Sequence, residues 1–589
     1  MEVYPSQALT HRVFVRCIEM PAPYLGPIRT WWCPECNVPV LKEKCPSCRS
    51  RAEKLKVTPP GEIKFASEKE IRMINRVIEE KFGVTILRNE LVLLNKLPAT
   101  DKAYEVIVNG RRILQVHFLP ESGWIPKLKP EGGQLIYNLG GRGWIIADGK
   151  VSESIVSKGV NLMAPGVTDA HPSLKVGDEV YVLNPAGRVI ATGTLKEVWS
   201  SVKRGVVVKV RDSWEADDIF DKESSLEAAV EANEPILKEE AELSVSFIQK
   251  TLSFVKKDVT VAFSGGKDSL IVLDLVSEVI DPKVIFTDTG IEYPETVKYV
   301  KSFSGDYDIL VADAEDGFWR GFEILGPPAR DYRWCCKVCK LGPTNKLLKE
   351  VFPDGCITFV GQRRYESSKR AKQRRIFTNP WIPLQIGASP IRNWSSLQVW
   401  LYISWKGLRI NPLYLDGFDR VGCWPCPSSD MWDFEMLKER HPNLLKKLEN
   451  ELSKFLPEED IKSGNWRFLR KRSPLKFWER NLERWISLLS NEYYSKRFNN
   501  LLKSIRKNSE SIRIDHRLSL RDEREILWIL AKAVSCLGCG SCLGKCPTGA
   551  LGLGADGKIE ISEHLCTGCG KCLRPCPLID YSEVHAWTY

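Results

Sequence analysis

Apolar positions recur along this chain with two periods, and each change of period marks an element. From Glu68 to Phe82, Ile71, Ile74, Val77, Ile78 and Phe82 fall at helical spacing, which predicts an amphipathic helix. Tyr104–Val108 and Arg112–Phe118 read as strands on either side of an Asn109-Gly110 turn, a pair suited to a tight hairpin. Residues 130–214 are β-rich, with runs at Val176–Val182 and Val189–Thr194. Residues 215–245 turn acidic and alanine-rich and predict a helical linker with a solvated face. Val259 to Phe263 is an unbroken run of β-formers, the pattern of a buried strand, and Leu270 to Val279 reads as a helix. Further strands near 283–287, 307–312 and 357–361 alternate with helical segments. That alternation predicts an α/β core with a mostly parallel, doubly wound sheet and ligands at the carboxyl ends of its strands. Residues 431–530 read as helical, basic and aromatic.

Composition turns this pattern into several domains. A chain of 589 residues that is 43% hydrophobic can build more than one core. The expected boundaries are 1–55, 56–128, 129–214, 215–245, 246–430, 431–530 and 531–589. The net charge of +10 fits polyanionic partners. The start, Met-Glu-Val-Tyr-Pro, lacks the basic-then-apolar layout of a signal peptide, and no apolar run reaches membrane-spanning length. A soluble cytoplasmic protein with no membrane partner is expected. Of 19 cysteines, all but Cys17, Cys339 and Cys356 fall into clusters of metal-ligand type, which predicts metal thiolates rather than disulfides.

Between the first core strand and its helix stands Ser264-Gly265-Gly266-Lys267-Asp268-Ser269. Glycines there let backbone N–H groups converge on an anion, and the helix start and Lys267 add positive charge. The loop is a phosphate cradle but not a Walker A loop, because Asp268 stands where Ser or Thr would hold magnesium. The hexapeptide resembles the PP-loop of ATP pyrophosphatases. Asp288-Thr289-Gly290 with Pro294-Glu295-Thr296 is similar to the phosphoadenylyl-sulfate (PAPS) reductase family, as is Gly361 to Arg370. Pro390-Ile391, Trp394-Ser395 and Val399-Trp400 continue the likeness over about residues 255–430. The resemblance implies an adenine nucleotide alpha hydrolase-like fold. It also implies a site for ATP, adenylyl sulfate or PAPS built from residues 264–269, Asp288, Thr289, Gly290, Gly361, Arg363 and Arg370. Lys267 and Asp268 are the catalytic candidates in the loop, and Mg²⁺ is a candidate companion of the nucleotide.

The cysteines sort by spacing. Cys33-x-x-Cys36 and Cys45-x-x-Cys48 predict a zinc ribbon, serving as a structural clip or a nucleic-acid contact. Cys536, Cys539, Cys542 and Cys546-Pro547 are repeated thirty residues on as Cys566, Cys569, Cys572 and Cys576-Pro577. This is the two-cluster ferredoxin pattern, in which the last cysteine of each run serves the other cluster. Cys536, Cys539, Cys542 and Cys576 are therefore expected on one [4Fe–4S] cluster, and Cys566, Cys569, Cys572 and Cys546 on the other. In the core, Cys335-Cys336 and Cys423-x-x-Cys426 resemble the ligands of iron–sulfur adenylyl-sulfate reductases, which implies a third [4Fe–4S] cluster. Lys340 matches the family's lysine beside the tandem pair. Cys339 departs from the family pattern. It opens another grouping, Cys336, Cys339, Cys423 and Cys426, for zinc or a cluster. Cys339 and Cys356 are also candidate nucleophiles.

Met163-Ala-Pro-Gly166 and Gly177-Asp178 resemble the PUA domain, a small RNA-binding barrel, with Lys158, Lys175 and Arg188 as candidate phosphate contacts. Trp466, Arg467, Arg470, Lys471, Arg472, Lys476, Trp478, Arg480, Arg484 and Trp485 interleave cations with aromatics. They read either as a base-stacking surface or as a helical bundle with buried tryptophan. Two functions are expected from this assembly. One is ATP-dependent adenylation and thiolation of an RNA base, with tRNA as partner. The other is reduction of adenylyl sulfate or PAPS to sulfite. The fused ferredoxin segment would relay electrons from an external donor. The reductases' C-terminal Glu-Cys-Gly motif is missing from this sequence, which favours the RNA reading.

Overall fold

The computed structural model describes residues 25–217, 223–468, 487–505, 520–573 and 575–578. Its centre is a six-stranded sheet in the order Ile309–Asp313, Lys283–Asp288, Asp258–Ala262, Cys356–Val360, Ile382–Ala388, Ile376–Asn379. The pairs are parallel except the last, which is antiparallel. The chain winds outward from Asp258–Ala262 to one side, then returns to build the other. The order therefore reverses between Asp258–Ala262 and Cys356–Val360, where a crevice opens at the carboxyl ends. The edge hairpin 376–388 is not among the predicted strands. The outer strand Ile376–Asn379 is exposed or half-buried throughout, so no apolar run marks it.

An antiparallel meander runs Ile63–Phe65, Val92–Lys96, Ala103–Val108, Arg111–Leu119, Gly123–Leu128. The predicted helix, Glu68–Phe82, packs on it, opened by a capping box of Ser67 and Glu70. At the hairpin turn Asn109 and Gly110 both have positive φ, 47° and 75°, as a two-residue turn of this hand requires. A β-rich unit follows, ordered Leu162–Met163, Val206–Ser213, Val189–Leu195, Glu179–Leu183, Trp144–Ala147, Val167–Ala170.

Two readings take a more definite form. The acidic stretch is helical with a solvated charged face, as its composition predicts, but it belongs to a 29-residue helix, Leu226–Phe254, that also packs on the core. Ala229, Ala232, Ile236, Leu237, Ala241 and Ile248 bury one stripe of it, and buried Asn233 donates to the Pro39 carbonyl and accepts from the Leu41 N–H. Half of that apolar stripe is alanine, which composition alone does not mark as core. Trp466 is 3% exposed, with its ring 5.8 Å from that of Phe434, and Arg467 is buried with its guanidinium 2.8 Å from Asp101. These two are core rather than a stacking surface. Arg470, Lys471, Arg472, Lys476, Trp478, Arg480, Arg484 and Trp485 lie outside the described residues, as does Cys17.

The meander is bound to the core by ion pairs, with Lys64 and Lys102 buried and Lys96 partly exposed. Lys64 meets Asp419 at 2.8 Å, Lys96 meets Asp430 at 3.0 Å and Lys102 meets Asp433 at 3.0 Å. Among the described residues, no helix is long and apolar enough to cross a membrane.

Candidate nucleotide site and cysteine centres

Ser264 to Ser269 carries the chain from the strand Asp258–Ala262 into the helix Lys267–Ser277. Gly265 has φ +73°, and a side chain on it would press on Thr296 and Val300. Gly266, at the helix start, has no side chain with which to cap it. The Lys267 N–H donates to the Tyr414 hydroxyl at 3.0 Å, and Ser269 Oγ donates to the Gly266 carbonyl at 2.8 Å. Gly361, following the adjacent strand, lies against the Asp268–Ser269 peptide so closely that any side chain would overlap it.

Asp268 is the centre of an ionic chain. Lys267 Nζ lies 2.8 Å from its Oδ2, and Arg363 Nε donates to its Oδ1 at 2.5 Å. The other end of Arg363 donates to both oxygens of Glu62, at 2.9 and 2.8 Å, and Arg363 is only 1% exposed. Burial opposes ionisation of Asp268, but Arg363 and Lys267 overcome it and hold the carboxyl well below the usual range. Burial pulls Lys267 down, and Asp268 more than offsets this. Arg370 is partly exposed and pairs with Glu366. Asp288 Oδ1 accepts from the Gly290 N–H at 3.0 Å, and Gly290 takes φ +70°. Thr289 Oγ1 donates to Glu292 at 2.9 Å and lies 3.5 Å from Cys423 Sγ. The nucleotide loop and Thr289, which touches Cys423, thus follow neighbouring strands at one end of the sheet.

Cys335 and Cys336 lie on the short helix Trp334–Cys336, and Cys339 on the π-turn Lys337–Leu341. Glu292 and Cys423 form an isolated backbone bridge that fixes the Cys423–Cys426 loop beside them. Arg333 joins the two groups: its guanidinium lies 3.3 Å from Cys336 Sγ and 4.0 Å from Cys426 Sγ. Its Nε is buried without a hydrogen-bond partner among the described residues. Clustered thiols beside an uncompensated cation fit an anionic thiolate centre. Cys339 is 2% exposed, and burial together with Cys423, Cys336 and Cys539 pushes its thiol well up. A protonated thiol is a poor nucleophile. Cys356 is buried at the start of the strand Cys356–Val360, so it lies about 17 Å of strand from Gly361, at the amino end of the sheet and away from the crevice.

In the C-terminal segment one cavity is lined by Cys536, Cys539, Cys542 and Cys576 with Lys532. This is the ligand set that the ferredoxin spacing implies for one cluster. Cys546 and Cys572 pack in the adjoining apolar cluster, and Cys569 is exposed. Lys532 is 1% exposed, donates to the Cys572 carbonyl at 3.1 Å, and has no carboxylate partner among the described residues. A buried ammonium among thiols fits a site that carries negative charge. The segment is seated on the core: Ser541 Oγ donates to the Lys337 carbonyl at 2.8 Å, and Lys349 Nζ to the Leu551 carbonyl at 2.8 Å. A methyl group on Gly342 would overlap the Cys539 carbonyl oxygen.

Near the start of the described chain, the thiols of Cys33, Cys36, Cys45 and Cys48 lie within 4.8 Å of one another, close enough for one tetrahedral ion. Trp32 of this unit covers Gly110 of the meander.

Comparison with known proteins gives these parts their relatives. Residues 258–429 match the phosphoadenosine phosphosulfate reductase domain, residues 143–213 the PUA domain, and residues 531–584 the 4Fe-4S dicluster domain. The uncharacterized protein MJ0066 of Methanocaldococcus jannaschii is 37% identical over 470 residues, 76% of this chain and 98% of that one. The chain belongs to the family of that archaeal protein. The adenosine 5'-phosphosulfate reductase of Deinococcus radiodurans is 29% identical over 184 residues, covering 29% of this chain and 66% of the other. Among solved structures, the PAPS reductase of Candida auris in a phosphate complex aligns at 20% identity and a TM-score of 0.26, over 34% of this chain and 97% of that one.

The core of this family member is thus a PAPS reductase domain, joined to a PUA domain and a dicluster domain. On the PUA domain Lys158 and Lys175 are exposed, and Arg188 lies 3.8 Å from Glu215. Several residues at the site have no local signal. Glu62 meets Arg363 from 301 positions away, and Tyr414 comes from beyond the last strand of the sheet. Lys532 is a single lysine in an ordinary helical pattern, and only its burial singles it out.

Proposed function

We propose that this protein activates an oxygen of an RNA base with ATP and replaces it with sulfur, with tRNA as the substrate. The observation behind this reading is the intact Ser264–Ser269 loop in the same chain as a PUA domain. The base oxygen attacks the α-phosphorus of ATP, and pyrophosphate leaves. A sulfide or persulfide sulfur then attacks the base carbon, and AMP departs with the oxygen. Lys267 and the helix start neutralise the phosphates, with Mg²⁺ as counter-ion. Asp268 fixes the position of Lys267. Cys335, Cys336, Cys423 and Cys426 hold a third [4Fe–4S] centre in this reading, and Cys33, Cys36, Cys45 and Cys48 hold zinc. When loaded, the dicluster domain supplies single electrons from an external carrier, and two of them cleave the disulfide that a persulfide donor leaves behind. The test is anaerobic incubation with ATP, sulfide and bulk tRNA. RNA-dependent release of AMP and pyrophosphate, with a thiolated nucleoside in the digest, is the expected result.

A second reading, reduction of adenylyl sulfate or PAPS to sulfite, draws on the tandem Cys335-Cys336 and on the named reductases among the relatives. Sulfite formed from adenylyl sulfate without RNA or ATP would favour it.

A further inference from the structure

A cavity of about 680 Å³ opens where the cysteine ribbon, the helix Leu226–Phe254 and the core meet, and none of the chemistry above uses it. Its size suits a small organic ligand rather than an ion. Two flat surfaces face it. Arg375 lies over the Phe247 ring, 3.7 Å from its centroid, and is held there by bonds to the carbonyls of Ser389 at 3.2 Å and Pro390 at 2.5 Å. Trp31, half-buried, comes from the ribbon on the other side. Gln398 also lines the cavity, and its side-chain nitrogen is buried without a hydrogen-bond partner among the described residues. Four cations line the cavity against two acids, and with Lys42 paired to Glu239 at 2.6 Å it is Arg29, Lys250 and Arg375 that favour an anion. Arg29 and Lys250 are exposed members of that set. Stacking faces, an unused amide and surplus positive charge are what an unpaired nucleotide requires.

We infer that this cavity seats one unpaired nucleotide of an RNA strand. Its base packs between Trp31 and the Arg375–Phe247 stack with its edge toward Gln398, and its phosphate lies near Arg29 and Lys250. This rests on the RNA reading above. It also gives the ribbon a task, because Trp31 adjoins the ligand Cys33 in the strand Trp31–Cys33. Tyr365, in the same wall, is two residues from Arg363, which holds Asp268. An occupied cavity would therefore adjoin the turn that braces the nucleotide loop.

The experiment uses the full-length, metal-loaded protein and a labelled single-stranded oligoribonucleotide carrying 4-thiouridine. Phe247→Ala removes the ring that carries Arg375, and Lys250→Glu changes only an exposed side chain, so a folded variant is available. Each is expected to weaken binding roughly tenfold or more, with ATP affinity unchanged. Photo-crosslinks are expected on the peptides containing Trp31 and Phe247. Unchanged affinity in Lys250→Glu, with crosslinks confined to residues 143–213, would overturn the cavity and leave the RNA reading standing. An unaltered protein that binds no RNA would overturn both.

Discussion

Glu62 of the meander and Arg363 of the core meet end-on, with both carboxylate oxygens bound to both terminal nitrogens of the guanidinium. Because the same guanidinium holds Asp268, the meander reaches the nucleotide loop through one buried side chain. Glu62→Gln leaves Arg363 with a neutral partner, at a cost of about 1–3 kcal/mol. We expect weaker ATP binding by calorimetry with the iron content unchanged. An unaltered ATP affinity would show that the meander does not influence the loop.

Within the loop, Lys267→Ala and Asp268→Ala should each abolish nucleotide turnover. Neither residue touches a cysteine, so iron and zinc should stay at their original levels. Full activity in both variants would move the reaction centre elsewhere.

The metal content follows from the cysteine sets. Protein purified without oxygen should hold roughly twelve irons and one zinc. Cys426→Ser should remove about four irons and leave the dicluster spectrum in place. A measured ratio near eight irons to two zincs would assign the core thiols to zinc.

Lys532 is the positive charge nearest the cavity lined by Cys536, Cys539, Cys542 and Cys576. A fixed cation favours the reduced, more negative form of whatever those thiolates bind. Lys532→Met should therefore lower the reduction potential read by EPR-monitored titration, while Lys532→Arg should restore it. Equal potentials in all three proteins would leave Lys532 a packing residue.

Trp466 should behave as core. Trp466→Ala is expected to cost about 3–5 kcal/mol of stability and to leave the RNA affinity of the folded fraction unchanged. A loss of affinity without loss of stability would return it to the binding surface.

What the sequence made legible was local. The 264–269 loop, the helix Glu68–Phe82 and the Asn109-Gly110 turn each depend on residues a few positions apart, and each forms where its pattern predicts. The parallel strands were readable because burial on both faces demands unbroken apolar runs. Partnerships across the chain left no such trace. Nothing near Glu62 announces Arg363, and nothing near Asp101 announces Arg467, because the fold alone brings them together. The helix Leu226–Phe254 is legible as a helix with a charged face, but its buried stripe is not, because three of that stripe's apolar residues are alanine and the charged residues on the other face dominate its composition.

Gly342 has one further consequence. The C-terminal domain rests on it backbone to backbone, and no side chain fits between them. Any larger residue at this position would push the two backbones apart and open the junction. Whatever passes across that junction does so inside a single molecule. Its speed is therefore expected not to change on dilution, since two copies of the protein have no need to meet.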